Sequence, residues 1–270
     1  MTIKKILITG ATDGIGLEAA KLFTQQGHHL CLHGRNPTKL NNTQQMLIEL
    51  NPKSTIESYP CDLSLIKNLP LLTNDICSKH KHMDVLINNA GVLKTDSPTS
   101  AEGLDVRFVV NTIAPYYLTR QLLPLLNQQS RVINLSSAAQ APLNTDALLG
   151  RTRLSDMDAY AQSKLAIALW SYMLGLKLKQ DGPMVAAVNP GSLLATKMVK
   201  EGFGLAGGDV GKGADILVRA ALSADFEQAD GQYFDNDTGQ FAPPHQDALD
   251  TRLGETLIHL MDKVVDEFIH

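Results

Sequence analysis

Short apolar runs alternate with amphipathic ones along most of the chain. Ile6-Leu7-Ile8 is an apolar block ended by Thr9-Gly10. From Ile15 onward, apolar residues at Leu17, Ala19, Ala20, Leu22 and Phe23 recur at helical spacing. This is strand, turn, helix, and the unit repeats. Leu30–Arg35 reads as a second strand. Asn36-Pro37-Thr38 breaks it and starts a helix through Leu40, Met46, Leu47 and Leu50. A weaker strand at Ser54–Cys61 leads to a helix capped by Ser64 and running to about Lys81. Further strands are expected at Met83–Asn88, Arg131–Ser137, Met184–Asn189 and Gly231–Phe234. Helices are expected at Glu102–Leu126, kinked or broken by Pro115, and at Asp158–Lys179, Lys212–Ala224 and Asp247–Phe268.

The strands are short, apolar and without clean alternation, as in a parallel sheet covered on both faces. The pattern predicts an α/β chain with a doubly wound parallel sheet of about seven strands in three αβα layers. Ligands bind such sheets beyond the carboxyl ends of the strands, where strand order reverses. The loops 9–16, 33–36, 61–63 and 88–92 all fall there. With 270 residues, 44% apolar and 19% charged, and with no linker or repeat, residues 1–270 read as a single domain. The glycine-rich stretch 192–213 reads as a mobile lid over the substrate.

The net charge of −4 and the lack of a long basic block argue against nucleic acid as a partner. Cys31, Cys61 and Cys77 cannot all pair internally, and Cys31 and Cys61 sit in apolar runs, which suits a reducing compartment. No apolar run reaches the roughly 18 residues of a membrane span, and no leader is visible, so a cytoplasmic protein is expected. The histidines are scattered. His28-His29 and His80-x-His82 have no carboxylate or cysteine at ligand spacing, so no metal site is expected.

The first turn carries the most chemistry. Glycine lets the backbone take unusual dihedrals and approach a ligand closely, and the helix after it presents unpaired N–H groups to an anion. A diphosphate suits this turn. Its spacing is Gly10-x-x-x-Gly14-x-Gly16, with Thr12, Asp13 and Ile15 between, and this resembles the short-chain dehydrogenase/reductase family. That family's fold is the Rossmann-type sheet already expected. Tyr160 and Lys164 are four apart on one helix and share a face. A nearby ammonium lowers the tyrosine pKa from about 10, toward general acid–base work. Tyr160-Ala161-Gln162-Ser163-Lys164 resembles the family's tyrosine–lysine motif. It follows the glycine turn, Asn88-Asn89-Ala90-Gly91 and a strand ending in serine, in the family's order.

The resemblance implies the remaining roles. Ser137 orients the substrate carbonyl, while Ser136 points to the other side of the strand. Asn111 supports a water-linked proton relay to Lys164, which also holds the nicotinamide ribose. Asn89, Ala90 and Gly91 shape the fourth strand's end near the adenosine. Asp62 and Leu63 flank the adenine, and Pro190 and Gly191 lie beside the nicotinamide. Thr196 holds the carboxamide, after a gap one residue longer than the commonest form. The second strand ends in His33-Gly34-Arg35-Asn36 with no acid, and Arg35 can pair with a 2′-phosphate, which favours NADP(H) over NAD(H). Asp13 stands where some NADP-dependent relatives carry a base.

The long stretch between Ser137 and Tyr160 looks like the retinol dehydrogenase and protochlorophyllide reductase-like branch. The expected activity is hydride transfer between NADP(H) and a moderately apolar carbonyl or alcohol. The alternative is a catalytically silent dinucleotide sensor. A homodimer or homotetramer through the 102–126 and 158–179 helices would follow the family's habit.

Overall fold

The computed structural model describes residues 2–269, apart from the side chain of Phe203. Seven strands run parallel: β1 (Lys5–Ile8), β2 (His29–Gly34), β3 (Ile56–Pro60), β4 (Val85–Asn88), β5 (Arg131–Leu135), β6 (Met184–Asn189) and β7 (Tyr233–Asp235). An eighth, β8 (Gln240–Phe241), pairs antiparallel with β7, giving the order β3-β2-β1-β4-β5-β6-β7-β8. The sequence pattern predicts about seven strands and misses β8, which is a two-residue return after a turn closed by Gly239 N–H on the Asp235 carbonyl. The order reverses between β1 and β4, which opens a crevice at their carboxyl ends.

Each face of the sheet is sealed by helices. Ile6, Ile8, Leu30, Leu32, Val85, Ile87 and Ile133 pack on one side with α1 (Gly14–Gln25), α2 (Pro37–Leu50) and α9 (Gly211–Leu222). Leu7, Cys31, Leu86, Val132 and Val185 pack on the other with α3 (Leu69–Lys79), α5 (Ala114–Leu122), α7 (Asp156–Leu178) and α10 (Thr251–Ile269). Local chemistry sets several boundaries. Asn36 accepts the Lys39 N–H ahead of Pro37, and Ser155 accepts the Asp158 N–H at the start of α7, whose first turn carries Asp156 and Asp158. Ser64 caps no helix. Its N–H and hydroxyl both donate to Asp62, and a 3₁₀ turn at Ile66–Asn68 precedes α3.

The helix expected over 102–126 is in fact composite. It begins at α4 (Val106–Phe108), widens into a π turn at Val109–Ile113, and continues as α5. Pro115 has no N–H to give the Asn111 carbonyl, so the α-helical ladder cannot close there. Residues 138–157 hold a short helix, α6 (Thr145–Leu148), and residues 192–213 hold α8 (Lys197–Phe203). Helix α10 lies along α7. A Cβ on Gly254 would sit 2.6 Å from Met173 Cγ, and Leu257 and Met261 are fully buried. Asp262 of α10 accepts from Tyr116 (2.8 Å) and from Arg120, both on α5. Among the described residues, no helix is long and apolar enough to cross a membrane.

Candidate active site at the carboxyl edge

Reciprocal hydrogen bonds join the ends of β1 and β4. Thr9 Oγ1 accepts the N–H groups of Asn89 (3.0 Å) and Ala90 (3.1 Å), and Asn89 Nδ2 donates back to the carbonyls of Thr9 (2.8 Å) and Gly10 (3.1 Å). Gly10 has φ +68°, and a Cβ there would come within 2.9 Å of Ala90 Cα. A Cβ on Gly16 would lie 2.4 Å from both Asn89 Nδ2 and the Gly10 oxygen. These positions exclude side chains and leave the backbone of the turn bare just ahead of the N-terminus of α1, an end that suits an anion. The residues therefore fit a diphosphate.

His33 braces the same turn. Its Nδ1 accepts the Gly10 N–H (3.3 Å), and its Nε2–H donates to the Cys61 carbonyl (3.0 Å). Burial pushes its pKa down to about 4, so it works as a neutral ring with one fixed tautomer. The sequence pattern presents His33 only as a strand end, because its partners are distant in the chain.

At the β2 end, Arg35 is exposed and Gly34 packs on Thr12, whose Cγ2 would be 2.7 Å from a Cβ on Gly34. Asp13 caps α1 by accepting the Gly14 N–H (2.8 Å), and Lys39 donates to its other oxygen (2.6 Å). The lysine holds the Asp13 carboxyl below its ordinary pKa. The acid that looks out of place beside a phosphate is thus already neutralised. Asp62 is occupied by Ser64, and Leu63 is buried.

Beyond β4 and β5 the second group assembles. Lys164 is buried on α7 and donates through Nζ to the Leu135 carbonyl (2.7 Å), with Nζ 5.7 Å from the Tyr160 ring centre. The Ser137 hydroxyl faces the phenol. The Ser136 hydroxyl donates to the Lys164 carbonyl (2.7 Å), so both serines reach α7, Ser136 to its backbone and Ser137 to the Tyr160 phenol. Asn111 Oδ1 accepts the Val92 N–H (2.8 Å), and its Nδ2 donates to the Val92 carbonyl (2.9 Å) and to Ser163 Oγ (2.9 Å). The Asn111 side chain therefore ties the β4 loop to α7. A Cβ on Gly91 would meet Asn111 Oδ1 at 3.6 Å, Lys164 Nζ at 3.7 Å and Met198 Cε at 3.5 Å. Gly91 thus lies beside Asn111 and Lys164.

Burial governs the charges here. It pushes the Tyr160 phenol up, against a smaller downward pull from Ser137, and pushes Lys164 down to about 7. In the free chain the ammonium does not yet deliver the lowered phenol pKa that the pairing suggests. One consequence is measurable. Between about 7 and the ordinary 10.5, the unfolded chain keeps a proton on Lys164 that the folded chain has released, so stability rises with pH across that window. From about pH 6 to about pH 9 this adds about 2–3 kcal/mol in the cofactor-free chain. Urea unfolding at both pH values should show the gain in wild type and lose it in Lys164→Met.

The 192–213 segment closes on the glycine turn. Thr196 caps α8, accepting the Val199 N–H (3.3 Å), and its Cγ2 would be 3.4 Å from a Cβ on Gly14. The extra residue before Thr196 is absorbed by Leu193 at φ +51°, in a short pairing of Leu194 with Gly208. A Cβ on Gly213 would meet Leu194 Cδ1 at 2.7 Å and Ile15 Cγ1 at 3.0 Å. Pro190 and Gly191 are set by Asn236, whose Nδ2 donates to the Pro190 carbonyl (2.9 Å).

Two braces have no local sequence signal. Arg107 is buried and grips both oxygens of Asp105 (2.8 and 2.6 Å) and also Asp156, one helical turn before Tyr160. Tyr233 Oη and Gln140 Nε2 both donate to the Ser137 carbonyl (3.1 and 2.9 Å).

A family model described as short chain dehydrogenase matches residues 4–203. The chain is 30% identical over 283 residues to the chloroplastic short-chain dehydrogenase TIC 32 B of Brassica napus, covering 96% of this chain and 88% of that one. It is 31% identical over 251 residues to human polyprenol dehydrogenase, covering 86% and 76%. Among solved structures, a short chain dehydrogenase of Escherichia coli CFT073 complexed with NADPH superposes with a TM-score of 0.69 at 28% identity, covering 86% of this chain and 96% of that one. Retinol dehydrogenases and WW domain-containing oxidoreductases match at comparable identity, so the similarity singles out no one branch. The chain belongs to the short-chain dehydrogenase family and is an NAD(P)-dependent oxidoreductase acting on carbonyl and alcohol groups.

Proposed function

We propose that the chain uses NADP(H) and interconverts a moderately apolar carbonyl compound and its alcohol, with Tyr160, Lys164, Ser137 and Asn111 as its working group. One observation carries the reading. Lys164 Nζ and Asn111 converge on Gly91, beside a phenol that Ser137 faces, at the edge where the glycine turn bares its backbone. Gly10, Thr12, Asp13, Gly14, Ile15 and Gly16 would hold the diphosphate, and Arg35 the 2′-phosphate. Asp62 and Leu63 would flank the adenine, and Asn89, Ala90 and Gly91 the β4 edge. Tyr160 and Lys164 would hold the nicotinamide ribose, and Pro190, Gly191 and Thr196 the ring. When bound, the cofactor supplies a hydride to the substrate carbon or accepts one from it.

The chain's own residues manage the oxygen and its proton. Tyr160 donates the proton in reduction and removes it in oxidation. Ser137 hydrogen-bonds the same oxygen as negative charge develops on it. Lys164 regains its proton when negative charge enters the cradle, and its ammonium then favours loss of the Tyr160 proton. The Asn111 side chain is fully engaged, and Pro115 gives its carbonyl no N–H, so that carbonyl would be the group that serves a water relay toward Lys164.

The preference for NADP(H) rests on Arg35, on the absence of an acid at the β2 end and on the Asp13–Lys39 pair. Arg35→Ala should raise the KM for NADPH about 10–100-fold, the worth of a charge-assisted hydrogen bond of about 1.5–3 kcal/mol, and leave NADH unchanged. The substrate end is apolar. Met198 reaches Gly91, and Leu193, Leu205 and Met157 are large apolar side chains left exposed. That fits the retinol dehydrogenase-like branch. A panel of aldehydes and ketones with NADPH and NADH in parallel, followed by absorbance, tests the reading. NADPH-linked turnover that favours apolar members supports it, and NADH preference on small polar members overturns it.

Helix α10 packs on α7 and bonds to α5, the helices through which a homodimer or homotetramer would form. Light scattering should find a monomer. Removing residues 246–270 should expose the α7 face and drive self-association.

A further inference from the structure

A second cluster lies across β2 and β3, toward the amino ends of the strands and away from the carboxyl edge. Register places Lys5 beside His29 and Cys31 beside Glu57, and α3 delivers His80 at its C-terminal cap over the same face. The sequence reading finds no ligand-spaced partner for either histidine; Cys31 stands two residues from His29, and the sheet and α3 bring Glu57 and His80 to them across 23 to 49 residues of chain.

His29 Nε2 lies 2.6 Å from Glu57 Oε1, and His80 Nε2 lies 3.5 Å from Glu57 Oε2 and 3.6 Å from Cys31 Sγ. The donor atoms of His29, Cys31 and Glu57 all fall within 4.8 Å of one another, the only such group among the described residues, and His80 joins it through Glu57 and Cys31 while its ring stands 5.8 Å from that of His29. Tetrahedral zinc, with bonds near 2.0–2.3 Å, sets its donor atoms roughly 3.3–3.6 Å apart. The two edges through His80 match this. The His29–Glu57 contact is a hydrogen bond that must open when an ion replaces its proton, and the two imidazoles must draw together around the ion.

We infer that His29, Cys31, Glu57 and His80 form a binding site for a borderline-soft divalent cation of the zinc class, separate from the hydride-transfer site. Two imidazoles, one thiolate and one carboxylate make a standard donor set for this ion. Its charge of +2 is balanced by the thiolate and the carboxylate, so a half-buried complex carries no net charge. Access is open, since His29 and Glu57 are 20% and 31% exposed while Cys31 and His80 are buried. Without the ion the same atoms form a hydrogen-bond chain. Tyr59 Oη donates to Glu57 (2.8 Å) and contacts His80 Nε2 (2.7 Å), and Lys5 Nζ lies 3.0 Å from His80 Nδ1. Binding breaks the Tyr59–His80 bond, turns His80 to its Nδ1–H tautomer and displaces Lys5, which is only partly buried. The thiol proton of Cys31 is released to water. The ion would pin β2 and β3 to the end of α3.

The test is a Co²⁺ titration of the reduced, untagged, full-length chain. A one-to-one endpoint is expected, with a thiolate-to-cobalt charge-transfer band and strong tetrahedral visible bands that Zn²⁺ bleaches. Cys31→Ser should abolish the charge-transfer band, and Cys61→Ser/Cys77→Ser should keep it. Because Cys31 is buried, the half-exposed variants His29→Gln and Glu57→Gln give a second readout. Each should fold by circular dichroism, keep NADPH-linked turnover, and weaken Co²⁺ binding at least about tenfold. Absence of the bands in excess Co²⁺ would overturn the site. So would bands that survive in Cys31→Ser, or affinity unchanged in both half-exposed variants.

Discussion

Tyr160→Phe lowers kcat by roughly 10²–10⁴-fold, the usual worth of a positioned general acid or base, and weakens NADPH binding far less, because Lys164 and the glycine turn keep their hold on the ribose and diphosphate. The phenyl ring keeps the packing of the half-buried tyrosine and its stack under Lys164 Nζ, so only the proton-carrying oxygen is lost. Stopped-flow reduction and a fluorescence titration with NADPH separate the two effects. A variant that turns over within a few-fold of wild type removes Tyr160 from the chemistry. Wild type that binds NADPH but never turns over, across a broad carbonyl panel, revives the silent-sensor alternative. Lys164 acts through the same proton, so Tyr160→Phe/Lys164→Met should lose little more than Tyr160→Phe alone.

Gly16→Ala cripples the cofactor cradle. A methyl group there would sit 2.4 Å from the Gly10 carbonyl oxygen and from Asn89 Nδ2, and the first of these is backbone that cannot swing aside. Either the turn or the Asn89 amide must move, which breaks the bonds from Asn89 to Thr9 and Gly10 that join β1 to β4. A displacement of about 1 Å in a binding element costs on the order of 10²-fold in kcat/KM. Overpacking of this kind also costs about 1–3 kcal/mol in stability. Steady-state kinetics with varied NADPH and a urea melt measure both. Gly103→Ala is a useful contrast, because a Cβ there meets nothing within 4 Å and only its φ of +83° resists the change.

What the sequence makes legible is what local pattern controls. The apolar runs place β1 and β6 almost to the residue, and α7 ends at Leu178, one residue from the Lys179 expected. Gly10, Gly14 and Gly16, and the four-residue step from Tyr160 to Lys164, are readable because their chemistry depends on spacing along one turn or one helix. The missed features depend on partners far away in the chain. The π turn at Asn111 needs Val92 and Ser163 as well as Pro115. Arg107 reads as an ordinary helix charge until Asp156 arrives from α7. His33 gains meaning only from Gly10 and Cys61, and α10 only from the surface of α7 that it covers. The opposed pKa shifts of Tyr160 and Lys164 follow from burial, which a motif does not encode.

The decisive measurement is a crystal structure of the NADPH complex. The diphosphate should lie on the Gly10–Gly16 turn, the nicotinamide ribose on Lys164 Nζ, and the reactive ring carbon toward the side on which Tyr160 and Ser137 present their hydroxyls. A nicotinamide ring lodged away from Tyr160, or a diphosphate excluded from the glycine turn by Thr196 and α8, would contradict the reading of this edge as the hydride-transfer site.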